Sequence, residues 1–459
     1  MPVTLDEIIE ATGGTLVSGP ATRTFAHLYT DSRQVRGGGL FVALRGEQQD
    51  GHAFIDQALE RGAGGILCQL PPQEALPSAS IITVASTREA LFQITRSRLK
   101  RLAVPIVAIT GSSGKTTTKE LVAHILGRRM RVHKSAGNLN TYTGVPMTVF
   151  EMDDRTRALV MEYAMSRRGE IRELTRIAAP TVAVVLNVQP AHVGLLGSIE
   201  AVAEAKRELV EGLAVDGVAI LNADDPRVRA MAAVAPRAVL YGLAPDAAVR
   251  AEEVEHRGLQ GSSFRLIAPQ GEAASVSLPL PGPHNVSNAL AAAAVALELG
   301  FDPEAVARAV EGFGAPAGRG NRLAGRAGAT IIDDSYNANP GSMDAALATL
   351  RMVPSGGLRI AVLGEMLELG DHAQQAHEEL GTLAARSADQ VIALGEHAPL
   401  VVDAARRGGM AEDAAVVASD NTHAVSLLEP VMGPRTYVLV KGSHSMHMEE
   451  IVAALRESA

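Results

Sequence analysis

The sequence predicts an α/β protein built from three domains. A chain of 459 residues is too long to fold around one ordinary hydrophobic core. Short apolar runs alternate with runs of helical spacing along most of the chain, and many apolar runs end in Asp, Glu, Asn or Gly. Because this alternation is typical of parallel sheets covered by helices, we expect a small N-terminal α/β domain (1–100), a central parallel-sheet domain (101–313) and a C-terminal doubly wound domain (314–459).

The composition is that of a globular protein, with 47% hydrophobic and 20% charged residues. The net charge of -9 argues against a nucleic-acid partner, because phosphate backbones are bound by a surplus of Lys and Arg. The first residues are acidic where a secretory signal is basic, and no apolar run approaches the ~20 residues that span a bilayer. We therefore expect a cytoplasmic protein without stable membrane insertion. The single cysteine, Cys68, excludes an intramolecular disulfide, and its apolar neighbours favour a buried thiol over a reactive one.

The first hundred residues have the pattern of a small α/β unit. The predicted elements are helices over 6–11, 54–61 and 87–99 and strands over 40–44 and 65–68. Two polar clusters, at 30–35 and 50–54, lie between these elements, and turn chemistry explains each of them without a ligand. The last helix leads into Lys100 and Arg101, where we place the first domain boundary.

The central domain begins with a strand, a glycine loop and a helix. The β-branched run 104–109 ends at a loop of small residues, and the apolar spacing over 121–126 is helical. Loop amides and a helix N-terminus attract an anion, Lys115 adds a full positive charge, and Thr116 offers a hydroxyl to a phosphate-bound Mg²⁺. The usual G-x-x-x-x-G-K-[ST] pattern has a glycine where this chain has Ile109, so a ligand-free glycine turn is the alternative. We favour a P-loop ATPase-like domain whose nucleotide contacts are Gly111, Ser112, Ser113, Gly114, Lys115, Thr116 and Thr117.

Polar residues follow the other strands of the central domain. Glu162 ends the run 158–161, and His192 follows the run 182–186 at a short distance. Ligands of an open parallel sheet bind beyond the carboxyl ends of its strands, so both side chains are candidate metal ligands beside the glycine loop. The alternatives are a strand-end cap for Glu162 and a structural role for His192, and the sequence does not favour either interpretation over the other.

Two further polar positions have a plain structural explanation when the residues are taken alone. Lys206 lies on a predicted helix over 199–213, and its setting favours a solvated lysine. Residues 284–288 precede a predicted alanine-rich helix over 289–299, and a turn capped by Asn explains them better than contact with a ligand.

A stretch of small residues, 314–318, separates the last part of the chain. The elements predicted after it are strands over 330–332, 360–363, 391–394 and 437–440 and helices over 342–351 and 372–388. The strands again end in polar residues. This order predicts a second doubly wound sheet of Rossmann-like type.

Several motifs together resemble those of the Mur ligase family. They are TGSSGKTT at 110–117, GNLN at 137–140, DDSYNANP at 333–340, LGEMLELG at 363–370 and VKGS at 440–443. The resemblance covers all three segments of the chain and includes the N-terminal cluster DSRQV at 31–35. The chain departs from the family pattern at Gly39, Thr141, Tyr163-Ala164, Glu365 and His444. The last of these stands where the family has an Arg, and an imidazole offers a carboxylate less charge than a guanidinium does.

The resemblance implies an ATP-dependent amide ligase that joins D-alanyl-D-alanine to UDP-N-acetylmuramoyl-tripeptide through an acyl phosphate. It implies ATP and two Mg²⁺ as cofactors, with Thr116, Glu162, His192 and a carbamylated Lys206 as metal ligands. The catalytic residues that it implies are Lys115, Glu162, His192, Lys206 and Arg319. The nucleotide contacts beyond the loop are His284, Asn285, Asn288, Arg319, Asp334 and Tyr336. The substrate contacts are Ser32, Arg33, Asn138, Asn140, Asn337 and Lys441.

Three alternatives remain beside this interpretation. A related ligase that adds the third stem residue typically carries a D-N-P-R motif, which this chain lacks. An enzyme similar to folylpolyglutamate synthase would lack the N-terminal DSRQV-type domain. A nucleotide-binding regulatory relative without turnover would not need Lys115, Glu162, His192 and Lys206 together. Binding of the substrate between the first and middle domains, and of ATP between the middle and last domains, predicts closure on hinges near Lys100 and Gly314. We expect a monomer.

Overall fold

The computed structural model describes residues 2–46, 49–72, 78–137, 139–190 and 193–457. Within these ranges the chain forms three α/β units, each around its own sheet. A small antiparallel ribbon of Val3–Thr4 and Thr24–Phe25 is attached to the first unit. The predicted fold class of three α/β domains is confirmed.

The N-terminal sheet has five strands, and its first strand is antiparallel to the rest. In spatial order they are Thr15–Ser18, Ser80–Thr83, Gly65–Cys68, Leu40–Val42 and Leu28–Tyr29. The helices are Leu5–Thr12, Ile55–Glu60 and Thr87–Leu102. The last helix passes the expected boundary at Lys100 and ends at Leu102, followed by the cap residue Ala103 with φ +48°. Cys68 is buried as expected, and burial raises the pKa of its thiol to about 11.

The central sheet has nine strands. In spatial order they are Ala273–Leu278, Ser262–Ile267, Val249–His256, Ala238–Gly242, Val218–Asn222, Val182–Val185, Ile106–Thr110, Ala158–Glu162 and Val132–Lys134. The helices are Lys115–Leu126, Gly144–Phe150, Glu170–Ile177, Val193–Leu196, Ile199–Glu211, Pro226–Arg229, His284–Glu298 and Pro303–Glu311. Two buried clusters, one on each face of the sheet, form the core.

The central sheet is mostly parallel, as expected, and also contains antiparallel strands at one edge. The strands Ser262–Ile267 and Ala273–Leu278 extend the sheet with antiparallel pairings. Their residues alternate between buried and more exposed positions over most of their length, because one face packs on the core and the other does not. Such strands lack the continuous apolar runs that identified the parallel strands.

The C-terminal sheet has six strands, and the first is antiparallel to the others. In spatial order they are Asn321–Ala324, Thr330–Asp333, Thr436–Lys441, Leu358–Leu363, Gln390–Ala393 and Ala415–Val417. The helices are Pro340–Arg351, Ala373–Ala385, Ala398–Arg407, Asn421–Leu428 and Glu449–Leu455. The predicted doubly wound sheet is therefore present. None of the helices in the described ranges has the length and apolar character needed to cross a bilayer.

Candidate active site

The phosphate loop, residues 111–117, lies where the strand order of the central sheet reverses. It follows the strand Ile106–Thr110, whose two neighbours are Val182–Val185 and Ala158–Glu162. At such a point the connections that follow two neighbouring strands leave on opposite faces of the sheet, and a crevice opens at the carboxyl ends of the strands. The helix Lys115–Leu126 begins within the loop, so its N-terminal amides face this crevice.

The backbone of the phosphate loop is shaped by one glycine and one asparagine. Gly114 has φ +81°, and a Cβ there would lie 2.4 Å from Asn288 Oδ1, so only glycine fits. Asn187 Oδ1 accepts hydrogen bonds from the amides of Ser112 and Ser113, both at 3.0 Å. The loop is therefore held in one conformation before any ligand arrives.

Thr116, in the first turn of its helix, and Glu162, at the end of its strand, bring two oxygen ligands together. Thr116 Oγ1 donates to Glu162 Oε2 at 2.9 Å, and Asn140 Nδ2 donates to Glu162 Oε1 at 3.3 Å. The Glu162 side chain is 5% exposed. A hydroxyl and a carboxylate at this separation fit a hard cation such as Mg²⁺, which prefers oxygen ligands.

Lys115 lies beside this pair. Its Nζ donates to the carbonyl of Gly111 at 2.9 Å. Removal of the ammonium from water lowers the pKa of Lys115, the carboxylate of Glu162 opposes this effect, and the guanidinium of Arg319 adds to it. The loop thus presents a positive charge that a phosphate would stabilise.

Lys206 is buried, so the expectation of a solvated lysine drawn from its helix was wrong. Its exposed fraction is 2%, and burial together with the positive charge of Lys115 lowers its pKa well below the usual value. No carboxylate in the described ranges forms an ion pair with Lys206. Burial thus stabilises the neutral form of this amine relative to that of a solvated lysine.

The C-terminal domain reaches the phosphate loop through Arg319. Its Nη2 donates to Thr116 Oγ1 at 3.1 Å, and its guanidinium lies 4.0 Å from the ring centroid of Tyr336. Its Nε is buried and has no hydrogen-bond partner among the described residues. Asn339 Nδ2 makes a second bridge by donating to the carbonyl of Ser112 at 3.3 Å. An unpaired buried donor beside a phosphate loop fits an anionic ligand.

Asp334 and Lys441 form an ion pair on the C-terminal wall. Lys441 Nζ donates to Asp334 Oδ2 at 2.6 Å and to the carbonyl of Asn337 at 2.9 Å. Burial lowers the pKa of Lys441, and the carboxylate of Asp334 opposes this effect. Burial also lowers the pKa of His284, which favours its neutral form.

The expected start of the alanine-rich helix at 289 was wrong. The helix is His284–Glu298, so His284, Asn285 and Asn288 lie in its first turns. Asn288 Nδ2 donates to Asn285 Oδ1 at 3.0 Å, and Asn285 Nδ2 donates to the carbonyl of Pro281 at 2.7 Å. These bonds orient both amides at the helix N-terminus.

One cavity of about 570 Å³ joins these groups. Its wall includes most of the predicted site residues: Ser112, Ser113, Gly114, Lys115, Thr116, Thr117, Asn140, Glu162, His284, Asn285, Asn288, Arg319, Asp334, Tyr336, Asn337 and Lys441. Gly111 precedes this wall and contacts Lys115.

The remaining predicted site residues lie outside the lining of this cavity or outside the described residues. Ser32 and Arg33 lie in the N-terminal domain, outside the lining of this cavity. Ser32 Oγ donates to Gln57 Oε1 at 2.5 Å, and Arg33 pairs with Asp31. Their substrate role stays a prediction. Asn138 and His192 fall outside the described residues.

Several cavity residues were missed by the sequence analysis. Gln189 Oε1 accepts from Ser113 Oγ at 2.9 Å, and Asn339 contacts the loop as described above. Glu368 also lines the cavity. Asn339 belongs to the DDSYNANP motif, so its position in that motif was a usable indication, whereas Gln189 has no comparable sequence marker.

Family models match the chain in three consecutive segments. The Mur ligase family catalytic domain matches residues 24–107, the Mur ligase middle domain matches 109–296, and the Mur ligase glutamate ligase domain matches 318–444. Together with the fold and the phosphate-loop site, these matches define the class. The chain belongs to the Mur ligase family.

Within this family the chain is similar to UDP-N-acetylmuramoyl-tripeptide–D-alanyl-D-alanine ligases. The protein of Bacillus subtilis strain 168 is 34% identical over 99% of this chain and 98% of its own length. That of Escherichia coli K12 is 36% identical over 99% of both chains. Among solved structures, crystal structure I of MurF from Acinetobacter baumannii has a TM-score of 0.88 and 33% identity, covering 99% of this chain and 98% of that chain. MurF from Thermotoga maritima in complex with ADP has a TM-score of 0.82 and 28% identity, covering 93% and 96%.

Proposed function

We propose that this chain is an ATP-dependent amide ligase that joins D-alanyl-D-alanine to UDP-N-acetylmuramoyl-tripeptide. The observation that carries the proposal is the position of Thr116, whose hydroxyl contacts both Glu162 of the central domain and Arg319 of the C-terminal domain. The relatives that bear this activity in their names match the chain over nearly its full length.

The reaction needs an activated acid, because an unactivated carboxylate offers no adequate leaving group to an amine. A carboxylate oxygen of the tripeptide attacks the γ-phosphorus of ATP, the bond to the β-phosphate oxygen breaks, and ADP leaves. The amine of D-alanyl-D-alanine then attacks the acyl carbon, and the tetrahedral adduct expels phosphate. The protein contributes positioning and charge neutralisation.

Each charged group of the cavity has a role in this scheme. Lys115 and Arg319 neutralise the transferring phosphoryl group from the two domains, and the loop amides hold the remaining phosphates. His284, Asn285 and Asn288 face the adenosine end, and Asp334 and Tyr336 close over the nucleotide. Asn140, Asn337 and Lys441 orient the acid and the amine.

Thr116 and Glu162 would hold Mg²⁺, which supplies charge neutralisation between the phosphates. His192 is proposed as a ligand of a second ion. A carbamate on Lys206 would turn a buried, uncompensated amine into an anionic oxygen donor. The lowered pKa of Lys206 and the absence of an ion pair to it among the described residues support this assignment, since only the neutral amine adds CO₂.

The domain arrangement also belongs to the proposal. We assign residues 1–100 to the UDP-substrate domain, 101–313 to the ATP domain and 314–459 to the ligase domain. Ser32 and Arg33 serve the uridine end and Asn138 the muramoyl peptide. Closure occurs on hinges near Lys100 and Gly314, and the protein acts as a cytoplasmic monomer, where ATP and the nucleotide-linked substrate are present.

The test is phosphate release with matched sets of substrates. ATP with UDP-N-acetylmuramoyl-tripeptide and D-alanyl-D-alanine is expected to give turnover, and omission of either substrate is expected to abolish amide formation. Turnover with UDP-N-acetylmuramoyl-dipeptide and a diamino acid would instead identify a third-residue ligase. Turnover with a folate and glutamate would identify a folylpolyglutamate synthase. Nucleotide binding without turnover in every set would identify a regulatory relative.

A further inference from the structure

The loop 364–370, which follows the strand Leu358–Leu363, is fixed by a buried carboxylate. Glu365 is 6% exposed. Its Oε1 is hydrogen-bonded to His397 Nδ1, and its Oε2 accepts from the amide of His397 at 3.3 Å. His397 follows the neighbouring strand Gln390–Ala393, so the contact ties two strand ends together.

His377 completes this cluster from the helix Ala373–Ala385. Its Nδ1 lies 2.7 Å from the carbonyl of Ala373, and its Nε2 accepts from the amide of Met366 at 3.1 Å. These two bonds assign the neutral tautomer with the proton on Nδ1. The rings of His377 and His397 are stacked, with centroids 4.6 Å apart and planes inclined by 15°.

The cluster of Glu365, His377 and His397 has ligand atoms within 4.8 Å of one another, but its geometry does not suit a metal ion. Nearly parallel stacked rings cannot both direct an in-plane lone pair at one ion. The Nε2 of His377 already accepts a backbone hydrogen bond. The three side chains are therefore a hydrogen-bonded clasp that holds the loop.

The other side of the loop is attached to the strand that carries Lys441. The amide of Gly364 donates to the carbonyl of Lys441 at 2.7 Å, and the amide of Leu367 donates to Ser443 Oγ at 3.0 Å. Toward the central domain, a Cβ on Gly194 would lie 2.6 Å from the carbonyl carbon of Leu369, so the two backbones are in close contact. The loop is thus held from both domains.

Glu368 lies in the middle of this loop and lines the active-site cavity. Its φ of +65° is in the left-handed region, which non-glycine residues rarely adopt. Such a conformation persists where the surroundings enforce it, and it is frequent at functional sites. The clasp and the contacts with Ser443 and Gly194 supply that enforcement.

We propose that Glu368 receives the ammonium end of the incoming amine and accepts its proton, and that the clasp of Glu365, His377 and His397 positions it. This inference rests on the proposed amide-ligase function. In the step concerned, the ammonium first passes one proton to the Glu368 carboxylate, and the free amine forms the N–C bond. The C–O bond to phosphate then breaks with its electron pair leaving on phosphate, and the second nitrogen proton leaves with the phosphate. A carboxylate on the C-terminal wall suits this role, since the amine is a cation near neutral pH before it reacts.

The test separates amine binding from acyl-phosphate formation. Exchange of ¹⁸O between the bridging and non-bridging positions of the β,γ link of ATP, measured with the tripeptide substrate and without amine, reports phosphoryl transfer alone. Glu368→Gln is expected to keep this exchange and to raise KM for D-alanyl-D-alanine about 10- to 100-fold, the usual size of a lost charge-assisted hydrogen bond. Glu368→Asp is expected to recover part of the loss. Glu379→Gln, an exposed position on the helix Ala373–Ala385, is the matched control and should behave like the unmodified chain.

The positioning role has its own measurement. Glu365→Gln is expected to raise the same KM, with exchange retained and the melting temperature used to confirm folding. Turnover with an unchanged amine KM in Glu368→Gln would overturn the assignment of Glu368. An unchanged amine KM in Glu365→Gln would overturn the clasp. Absence of both exchange and turnover in the unmodified chain would overturn the proposed function and this inference with it.

Discussion

Replacement of Arg319 tests the contact between the C-terminal domain and the phosphate loop. Its Nη2 donates to Thr116 Oγ1 at 3.1 Å, and its guanidinium lies 4.0 Å from the Tyr336 ring centroid. A hydrogen bond that involves a charged group contributes about 1.5–3 kcal/mol, and a partly exposed cation–π contact about 0.5–1 kcal/mol. Removal of both in Arg319→Ala is therefore expected to cost about 2–4 kcal/mol. This corresponds to a fall of roughly 30- to 900-fold in kcat/KM for ATP.

Two further variants divide this loss between its sources. Arg319→Lys keeps the charge but loses the planar guanidinium, so its loss should lie between those of the parent and the alanine variant. Tyr336→Leu removes the stacking on Arg319, which accounts for about 2- to 5-fold, and a larger loss would report the contact of Tyr336 with the nucleotide. Initial rates of phosphate release at varied ATP measure each value, with the exposed Arg322→Ala on the adjoining strand as the control. An Arg319→Ala variant within threefold of the parent would refute the assigned closure contact.

Three other perturbations have defined outcomes. Lys115→Ala should reduce ADP formation at saturating substrates by at least ~10³-fold, since it removes a full charge at the transferring phosphate; near-normal turnover would refute its role. Lys206→Ala should be partly restored by added short-chain carboxylic acids that replace a carbamate, and absence of rescue would count against the carbamate. Cys68 should resist thiol reagents at pH 8 in the folded protein and react on unfolding, because a thiol with a pKa of about 11 has very little thiolate there; rapid reaction of folded protein would contradict its burial.

The parallel strands could be predicted because the sequence pattern of each strand is enough to identify it. The strands Val182–Val185 and Val218–Asn222 are buried on both faces, so each is a continuous apolar run. The strand Val249–His256 has exposed residues in its second half and no such run. Its place in the sheet depends on partners that are distant in the sequence, which local patterns do not encode.

The nucleotide side of the site could be predicted for a related reason. The phosphate loop is a continuous segment in which glycine, lysine and threonine have fixed relative positions. Gly114 has the positive φ that glycine accommodates. The clasp around Glu365 could not be found in this way. Two of its members, Glu365 and His397, follow strand ends as the sheet rule suggests, but His377 comes from a helix whose spacing gives no sign of the contact.

Lys206 shows why burial of a charge escapes sequence patterns. Its helix, Ile199–Glu211, buries a wide arc that includes both Lys206 and Glu208. Residues two apart on a helix do not face each other, so the two cannot pair. Glu208 has other partners, since its carboxylate accepts hydrogen bonds from the amides of Gly169 at 2.9 Å and Arg172 at 3.0 Å. Lys206 is thus left as a buried amine beside the cation Lys115. This arrangement costs free energy, and packing alone does not require it. A bound CO₂ and a metal ion would relieve that cost.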